Sequence, residues 1–181
     1  MYKAGDEIVY GNLGVCSVVE VAQREMPGVE GRRWYYTLEP RFENQMRIYA
    51  PTENGRVRMR PVVTGEQARR LLDSIPSLRA AARSLPDGQP EALVADCEEK
   101  LALDGCGDLI ARALFTCAPR ALASDYKRRI GLGDRMAAKQ AQQRLLQELG
   151  LALNVPPARV REAIDQRIAA PAVKRDAAVQ A

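Results

Sequence analysis

The cysteines are the first side chains in this 181-residue chain that could do chemistry, and the chain has four of them: Cys16, Cys97, Cys106 and Cys117. No two form a C-x-x-C pair, so a zinc site would need thiolates from distant segments. The chain has no histidine, which removes the commonest general base and excludes serine–histidine, cysteine–histidine and histidine–metal sites. We therefore expect reduced, mostly buried thiols, no enzymatic activity, and no cofactor or metal.

Basic side chains form the second group of residues that could bind a partner. The net charge is only +4, but residues 120–144 contain seven basic residues: Arg120, Lys127, Arg128, Arg129, Arg135, Lys139 and Arg144. Such a cluster can hold phosphates. We take Arg128, Arg135 and Lys139 as the candidate DNA contacts, because Arg135 and Lys139 share one helix face. A solvated helix surface is an equal alternative.

Residues 1–63 have the pattern of a small all-β domain. Its strands must position any binding site in the N-terminal half of the chain. Segments rich in valine and aromatic residues alternate with turn residues. Asn54-Gly55 predicts a tight turn, and Gly11 and Gly14 can adopt positive φ. Five short strands in a partly open barrel are expected, at residues 8–10, 15–21, 34–38, 46–50 and 57–60.

Helical periodicity begins after Thr64, which with Gln67 fits a capping box. Gly150 is expected to cap the sixth helix. The fold class is therefore α+β, with an all-α helical bundle over residues 64–170 and a disordered tail over 171–181. The predicted helices are 65–75, 77–84, 90–103, 107–117, 120–130, 134–149 and 157–169.

The N-terminal half resembles the CarD family and the polymerase-interacting module of transcription-repair coupling factors. The matching segments are residues 2–10 (YKAGDEIVY), 14–15 (GV), 35–38 (YYTL), 46–51 (MRIYAP), 53–54 (EN) and 59–63 (MRPVV). The resemblance implies a Tudor-like domain over residues 1–63 that binds the β subunit of bacterial RNA polymerase. It also implies the mode of binding, in which a sheet edge is added to a sheet of the polymerase.

The same resemblance assigns polymerase-binding residues. The family's contact positions fall on Arg24 and Tyr49. Arg47 lies two residues before Tyr49 on the predicted strand, hence on the same face, and could substitute for an arginine that some members carry at position 49. The alternative for both arginines is simple solvation on a sheet surface.

The C-terminal half is similar to the family's helical domain, which touches promoter DNA through a tryptophan wedge and neighbouring basic residues. The position of that tryptophan falls at about Pro90, and residues 91–99 (EALVADCEE) are acidic and apolar. Acidic residues would repel phosphates. Either the DNA contact has moved to residues 120–144, or it is weak or lost. Leu93 is a further candidate wedge, with core packing as its alternative.

Two functions follow from these patterns. The first is a non-enzymatic transcription regulator that binds the polymerase β subunit and modulates the stability of the promoter open complex, with weak DNA contact from its helical domain. The second is a protein-only adaptor that holds polymerase and recruits or blocks another protein. Residues 1–6 lead into strand-like sequence rather than a signal peptide, and the apolar runs are far shorter than the roughly 20 residues of a membrane span. We expect a cytoplasmic, nucleoid-associated protein without a membrane or small-molecule partner.

Overall fold

The N-terminal half folds as one open antiparallel sheet. A computed structural model of the chain describes residues 1–43, 46–53, 56–84, 90–118, 124–131 and 135–169. The strands are β1 Glu7–Tyr10, β2 Gly14–Arg24, β3 Arg33–Pro40, β4 Ile48–Pro51 and β5 Met59–Pro61. Their order in the sheet is β4-β3-β2-β1-β5, so β4 and β5 are its edges. The predicted number of strands is confirmed, while β2 extends three residues beyond its predicted end.

One face of the sheet buries an apolar core. Tyr10, Cys16, Val18, Tyr36 and Leu38 lie in this core with Ile8 and Ala50. Val9, Val15 and Tyr35 alternate with these residues and are buried as well, so part of the other face of the sheet is also covered. Trp34 is exposed, whereas the adjacent Tyr35 and Tyr36 are both buried. Gly11 and Gly14 adopt φ values of +47° and +86°, which confirms the turn between β1 and β2.

Six helices follow the sheet among the residues that the structure describes. They are α1 Gly65–Arg83, α2 Pro90–Leu101, α3 Gly107–Cys117, α4 Ser124–Arg129, α5 Arg135–Leu153 and α6 Pro157–Ala169. Helices α1, α3, α5 and α6 pack together around a second apolar core. An α+β fold class is therefore confirmed. None of the described helices is long and apolar enough to cross a bilayer.

The start of α1 has the predicted capping box. Thr64 Oγ1 accepts a hydrogen bond from the amide of Gln67, and Gln67 Oε1 accepts one from the amide of Thr64. The predicted break in this helix is wrong, because α1 continues through Pro76. Proline within a helix costs about 3 kcal/mol. Buried side chains on both sides of it, including Leu72, Ile75 and Leu78, offset that cost by packing in the core.

The predicted cap at Gly150 is also wrong. Helix α5 runs on to Leu153, and Asn154 adopts the left-handed conformation (φ +54°) that ends it. The amide of Val155 donates to the carbonyl of Gly150 and that of Asn154 to Leu151, which is a Schellman motif. A Cβ on Gly150 would lie 2.8 Å from the Val155 carbonyl oxygen, so the tight return of the chain requires glycine there.

Three of the remaining predicted helices agree with the structure, and several other predictions lie outside the described residues. The helices predicted at 90–103, 107–117 and 157–169 agree with α2, α3 and α6 to within two residues. The Asn54-Gly55 turn, Arg120 and the 171–181 tail lie outside the described residues. All four cysteines are free and buried.

Candidate functional site

A pair of side chains from different strands forms the most defined feature on the open face of the sheet. The guanidinium carbon of Arg24, at the end of β2, lies 4.9 Å from the centroid of the Tyr49 ring on β4. Arg24 also makes an ion pair with Glu20, and its Nη2 donates to Thr37 Oγ1 at 3.5 Å. We call Arg24, Tyr49 and Arg47 the β4 surface.

A β-bulge places Arg24 on this face. The pairing of β2 with β3 shifts between Val18 and Glu20, which leaves one extra residue in β2. Since side chains alternate between faces, one inserted residue moves every later side chain to the opposite face. Glu20 therefore pairs with Thr37, and Thr37 pairs with Tyr49, so all three lie on the open face.

The structure places Arg47 differently from the sequence prediction. Arg47 lies one residue before β4, which begins at Ile48, so it is not on the strand itself. It remains close to the β4 surface, because its Nε donates to Glu39 Oε1 at 2.7 Å. The hydrogen bond and the charge of Glu39 raise the pKa of Arg47. The structure thus brings Arg24 and Tyr49 into contact and leaves Arg47 paired with β3.

Four large apolar side chains are exposed on β3, on β4 and in the connection between them, and sequence reasoning missed most of them. Tyr49 is 39% exposed, and Trp34, Phe42 and Met46 are exposed to a similar extent. All four lie within residues 34–49. Trp34 alternates with Tyr35 and therefore shares the face of Tyr36, whereas Tyr49 lies on the other face of the sheet. Among the described strands, β4 has a neighbour on one side only, which leaves one row of its backbone groups unpaired within the sheet.

The opposite end of the sheet is joined to the helices by a buried ion cluster that the sequence analysis did not identify. Arg60 on β5 donates from Nη1 and Nη2 to Glu148 of α5, at 2.5 and 2.9 Å. Its Nε and Nη2 also donate to Asp108 of α3, at 2.8 and 3.0 Å. Arg112 lies 3.1 Å from the same Asp108 carboxylate. Glu148 is only 1% exposed, and Arg60 and Arg112 are each 6% exposed. We call these four residues the seam cluster.

The electrostatics of the seam cluster follow from burial and pairing. Burial lowers the pKa of Arg60, but hydrogen bonds to Glu148 and Asp108 outweigh it and raise the pKa overall. Burial would raise the pKa of Asp108, but Arg60 and then Arg112 lower it below its ordinary value. The sequence did contain a signal for a buried carboxylate at Glu148. This residue falls three positions after Leu145 and one before Leu149, on an apolar helix face.

The basic residues of 120–144 that the structure describes do not all share one surface. Arg128 is exposed in the last turn of α4, and Arg135 and Lys139 are exposed one turn apart on α5. Arg129 instead pairs with Glu91 of α2 at 3.3 Å. Arg144 is half-buried and turns toward the sheet, where its side chain lies against Gly14. Arg135 and Lys139 remain as one exposed basic pair, next to the exposed Met136.

Helix α2 presents an acidic face to solvent. Leu93, Val94 and Cys97 are buried in the helical core, while Glu91, Asp96 and Glu99 are exposed. Leu93 therefore has the core-packing role rather than that of a wedge. Pro90, at the position implied for the family's tryptophan, is itself buried.

Comparison with known proteins assigns the N-terminal half. The family model described as the CarD-like/TRCF RID domain matches residues 2–63, the segment that contains the sheet and all three residues of the β4 surface. The search of curated proteins found no match to this chain.

Proposed function

We propose that the chain is a non-enzymatic, CarD-like transcription regulator that binds the β subunit of RNA polymerase. The match of residues 2–63 to the CarD-like/TRCF RID domain, an RNA polymerase-interacting domain family, supports this proposal. In this proposal the β4 surface makes the contact, and the helices touch promoter DNA weakly and so modulate the stability of the open complex. Such a protein would act in the cytoplasm, at the nucleoid.

The contact between Arg24 and Tyr49 carries the first part of the proposal. It places the guanidinium of Arg24, at the end of β2, over the exposed ring of Tyr49 on the edge strand β4. Tyrosine and arginine are the side chains most often found at the energetic centre of protein interfaces. An edge strand beside them can add its backbone hydrogen bonds to a partner sheet.

The exposed pair Arg135 and Lys139 supports the DNA contact. Neither makes an ion pair with another residue that the structure describes, so both charges are available to phosphates. Two charges give weak affinity by themselves. Attachment to polymerase would raise the local concentration of the helices at the promoter, so that weak affinity suffices.

Binding of purified polymerase β subunit to the full chain tests the first part. Arg24→Ala and Tyr49→Ala should each raise the Kd about tenfold or more, in the range of interface hot spots. The control is Arg159→Ala, which removes an exposed arginine that pairs with Glu162 on α6. Wild-type affinity in both β4-surface variants would exclude this surface.

Binding to a promoter fragment in the presence of polymerase tests the second part. Replacing Arg135 and Lys139 together with alanine should weaken the ternary complex and reduce its salt dependence. Lys100→Ala is the control, because Lys100 is exposed but paired with Asp96. An unchanged salt dependence in the double variant would assign DNA contact elsewhere.

The acidic exposed face of α2 favours the second candidate, a protein-only adaptor. Glu91 and Asp96 are paired with Arg129 and Lys100, and the exposed Glu99 on the same helix would repel phosphates near the position of the family's DNA-contacting tryptophan. A polymerase complex whose promoter affinity is the same with and without this chain would support the adaptor.

A further inference from the structure

A cleft lies between the sheet and the helices, beside the seam cluster. Its volume is about 180 Å³, and four arginines line it: Arg58 and Arg60 from the sheet side, and Arg112 and Arg129 from α3 and α4. Asp108 is the only acidic residue among the lining residues that the structure describes. We call this space the seam cleft.

The arginines occupy two levels. Arg60 and Arg112 are almost fully buried and form the base. Arg58 and Arg129 are exposed and form the rim, where Arg58 donates to the Gly105 carbonyl at 2.9 Å and Arg129 pairs with Glu91. A ligand that enters from solvent would therefore meet the rim arginines first and the buried ones next.

The carboxylate oxygens beside the cleft accept hydrogen bonds mostly from one arginine, Arg60. Arg60 engages both oxygens of Asp108 and both oxygens of Glu148. Arg112 shares only the Asp108 oxygen that Arg60 already uses, and it reaches the Gly11 carbonyl at a long 3.5 Å. Its buried Nη1 makes no hydrogen bond of normal geometry.

Within the part of the chain that the structure describes, Arg112 is thus a buried cation with few acceptors. A buried charge is costly unless it is paired and hydrogen-bonded. Burial lowers the pKa of Arg112, which agrees with incomplete compensation of its charge. Burial and then the charge of Arg112 lower the pKa of Arg144 as well. The seam cluster balances two arginines with two carboxylates, so an anion in the cleft would supply hydrogen-bond acceptors to Arg112 rather than a missing charge.

We propose that the seam cleft binds a phosphate group. Guanidinium groups match the oxygens of phosphate in a fork geometry, and several of them converge here. A water molecule takes up about 30 Å³, so the cleft has room for one phosphate with a few waters. The phosphate can belong to a small phosphorylated compound or to a nucleic-acid backbone. This site shares no residue with the β4 surface, so it does not rest on the polymerase proposal.

The seam cleft touches both halves of the fold, which gives binding a measurable consequence. Val9, Gly11 and Arg60 belong to the sheet half, whereas Asp108, Arg112 and Ile130 belong to the helical half. A ligand held between them stabilises the folded state by mass action. Phosphate should therefore raise the melting temperature more than sodium chloride does at the same ionic strength.

The test uses the full chain with inorganic pyrophosphate as probe, in calorimetric titrations and thermal melts. Wild type should bind pyrophosphate, with sodium chloride and sodium acetate at equal ionic strength as comparisons. Arg58→Met and Arg129→Met should each weaken binding about tenfold or more, as expected for loss of a charged hydrogen bond. The control is Arg41→Met, which removes an exposed arginine that pairs with Glu7 outside the cleft. The rim variants avoid the buried residues on which folding depends.

A second arm distinguishes the two sources of phosphate. If a short DNA duplex displaces pyrophosphate and loses affinity in the rim variants, the ligand is a nucleic-acid backbone. If it does not compete, the ligand is a small phosphorylated compound. The proposal is overturned if acetate binds as well as pyrophosphate. It is also overturned if neither pyrophosphate nor DNA binding changes in the rim variants. Polymerase β binding should be unchanged in both rim variants, which separates this test from that of the β4 surface.

Discussion

The guanidinium of Arg24 lies over the ring of Tyr49, 25 positions further along the chain, with 4.9 Å between Cζ and the ring centroid. Between them lies β3, and Thr37 on that strand pairs with both Glu20 of β2 and Tyr49 of β4. The contact therefore spans three strands and depends on the bulge after Val18. A side chain held by such a network is oriented before a partner arrives, which reduces the entropy lost on binding.

The contact between Arg24 and Tyr49 should be measurable as a coupling energy. A double-mutant cycle with Arg24→Met and Tyr49→Leu should give about 0.5–1 kcal/mol in the free energy of unfolding, typical of an exposed cation–π pair. Urea denaturation of the four proteins measures it. Strictly additive single effects would mean that the contact does not contribute to stability.

Removing one member of the seam cluster should destabilise the fold strongly. Glu148→Gln leaves Arg60 buried with only Asp108, and loss of one partner from a buried ion pair costs about 3–5 kcal/mol. Urea denaturation gives the change in the free energy of unfolding. Glu99→Gln, on the exposed face of α2, should change it by less than about 0.5 kcal/mol. A loss below about 1 kcal/mol for Glu148→Gln would show that the cluster is dispensable.

Asp108 should make stability depend on acid pH. Its pKa in the folded state lies below the ordinary value of 3.8, because Arg60 and Arg112 outweigh the effect of burial. The unfolded chain then binds more protons than the folded one, so this contribution is present above the ordinary pKa and is lost as pH falls through the folded value.

Urea denaturation between about pH 5 and pH 3 measures that loss. With Asp108→Asn the free energy of unfolding should fall less steeply over this interval than in wild type. The matched variant is Asp73→Asn, an exposed carboxylate paired with Arg167, which should leave the slope close to that of wild type. Equal slopes for wild type and Asp108→Asn would contradict the assignment.

The capping box of α1 should contribute measurably to stability. Thr64→Ala removes the hydroxyl that accepts from the amide of Gln67 and should cost about 1 kcal/mol in the free energy of unfolding. Thr64→Ser keeps the acceptor and should stay near wild type. If serine and alanine are equally destabilising at this position, the effect comes from the lost methyl group rather than from the cap.

The thiols should be protected in the folded protein. Burial raises the pKa of Cys16 and of Cys117 to about 11 and also raises those of Cys97 and Cys106. The thiolate is the reactive form, so little of it is present at neutral pH. A disulfide reagent should modify the native chain slowly and all four thiols promptly in denaturant. Prompt reaction of one thiol in the native chain would reveal a local opening.

Local signals predicted much of the fold. The Thr64–Gln67 pair marked the start of α1 correctly, and the apolar, valine-rich segments at 8–10 and 15–21 marked two strands. Pro76 and Gly150 misled the prediction, because each has a local preference that tertiary packing overrides. Pro76 is held within a helix by buried neighbours, and Gly150 serves a close backbone approach four residues before the helix-ending Asn154.

The candidate site was likewise predicted from the sequence only in part. The amino-acid sequence was sufficient to identify a CarD-like β half, because its segments occur in the family's order, and the resemblance pointed to Arg24 and Tyr49 as candidate contacts. The bulge in β2 that puts Arg24 beside Tyr49, and the convergence of Arg60, Asp108, Arg112 and Glu148, required the tertiary structure. Positions up to 88 residues apart come together there. Local periodicity reports which face of an element is buried, but long-range contacts depend on how whole elements pack against each other.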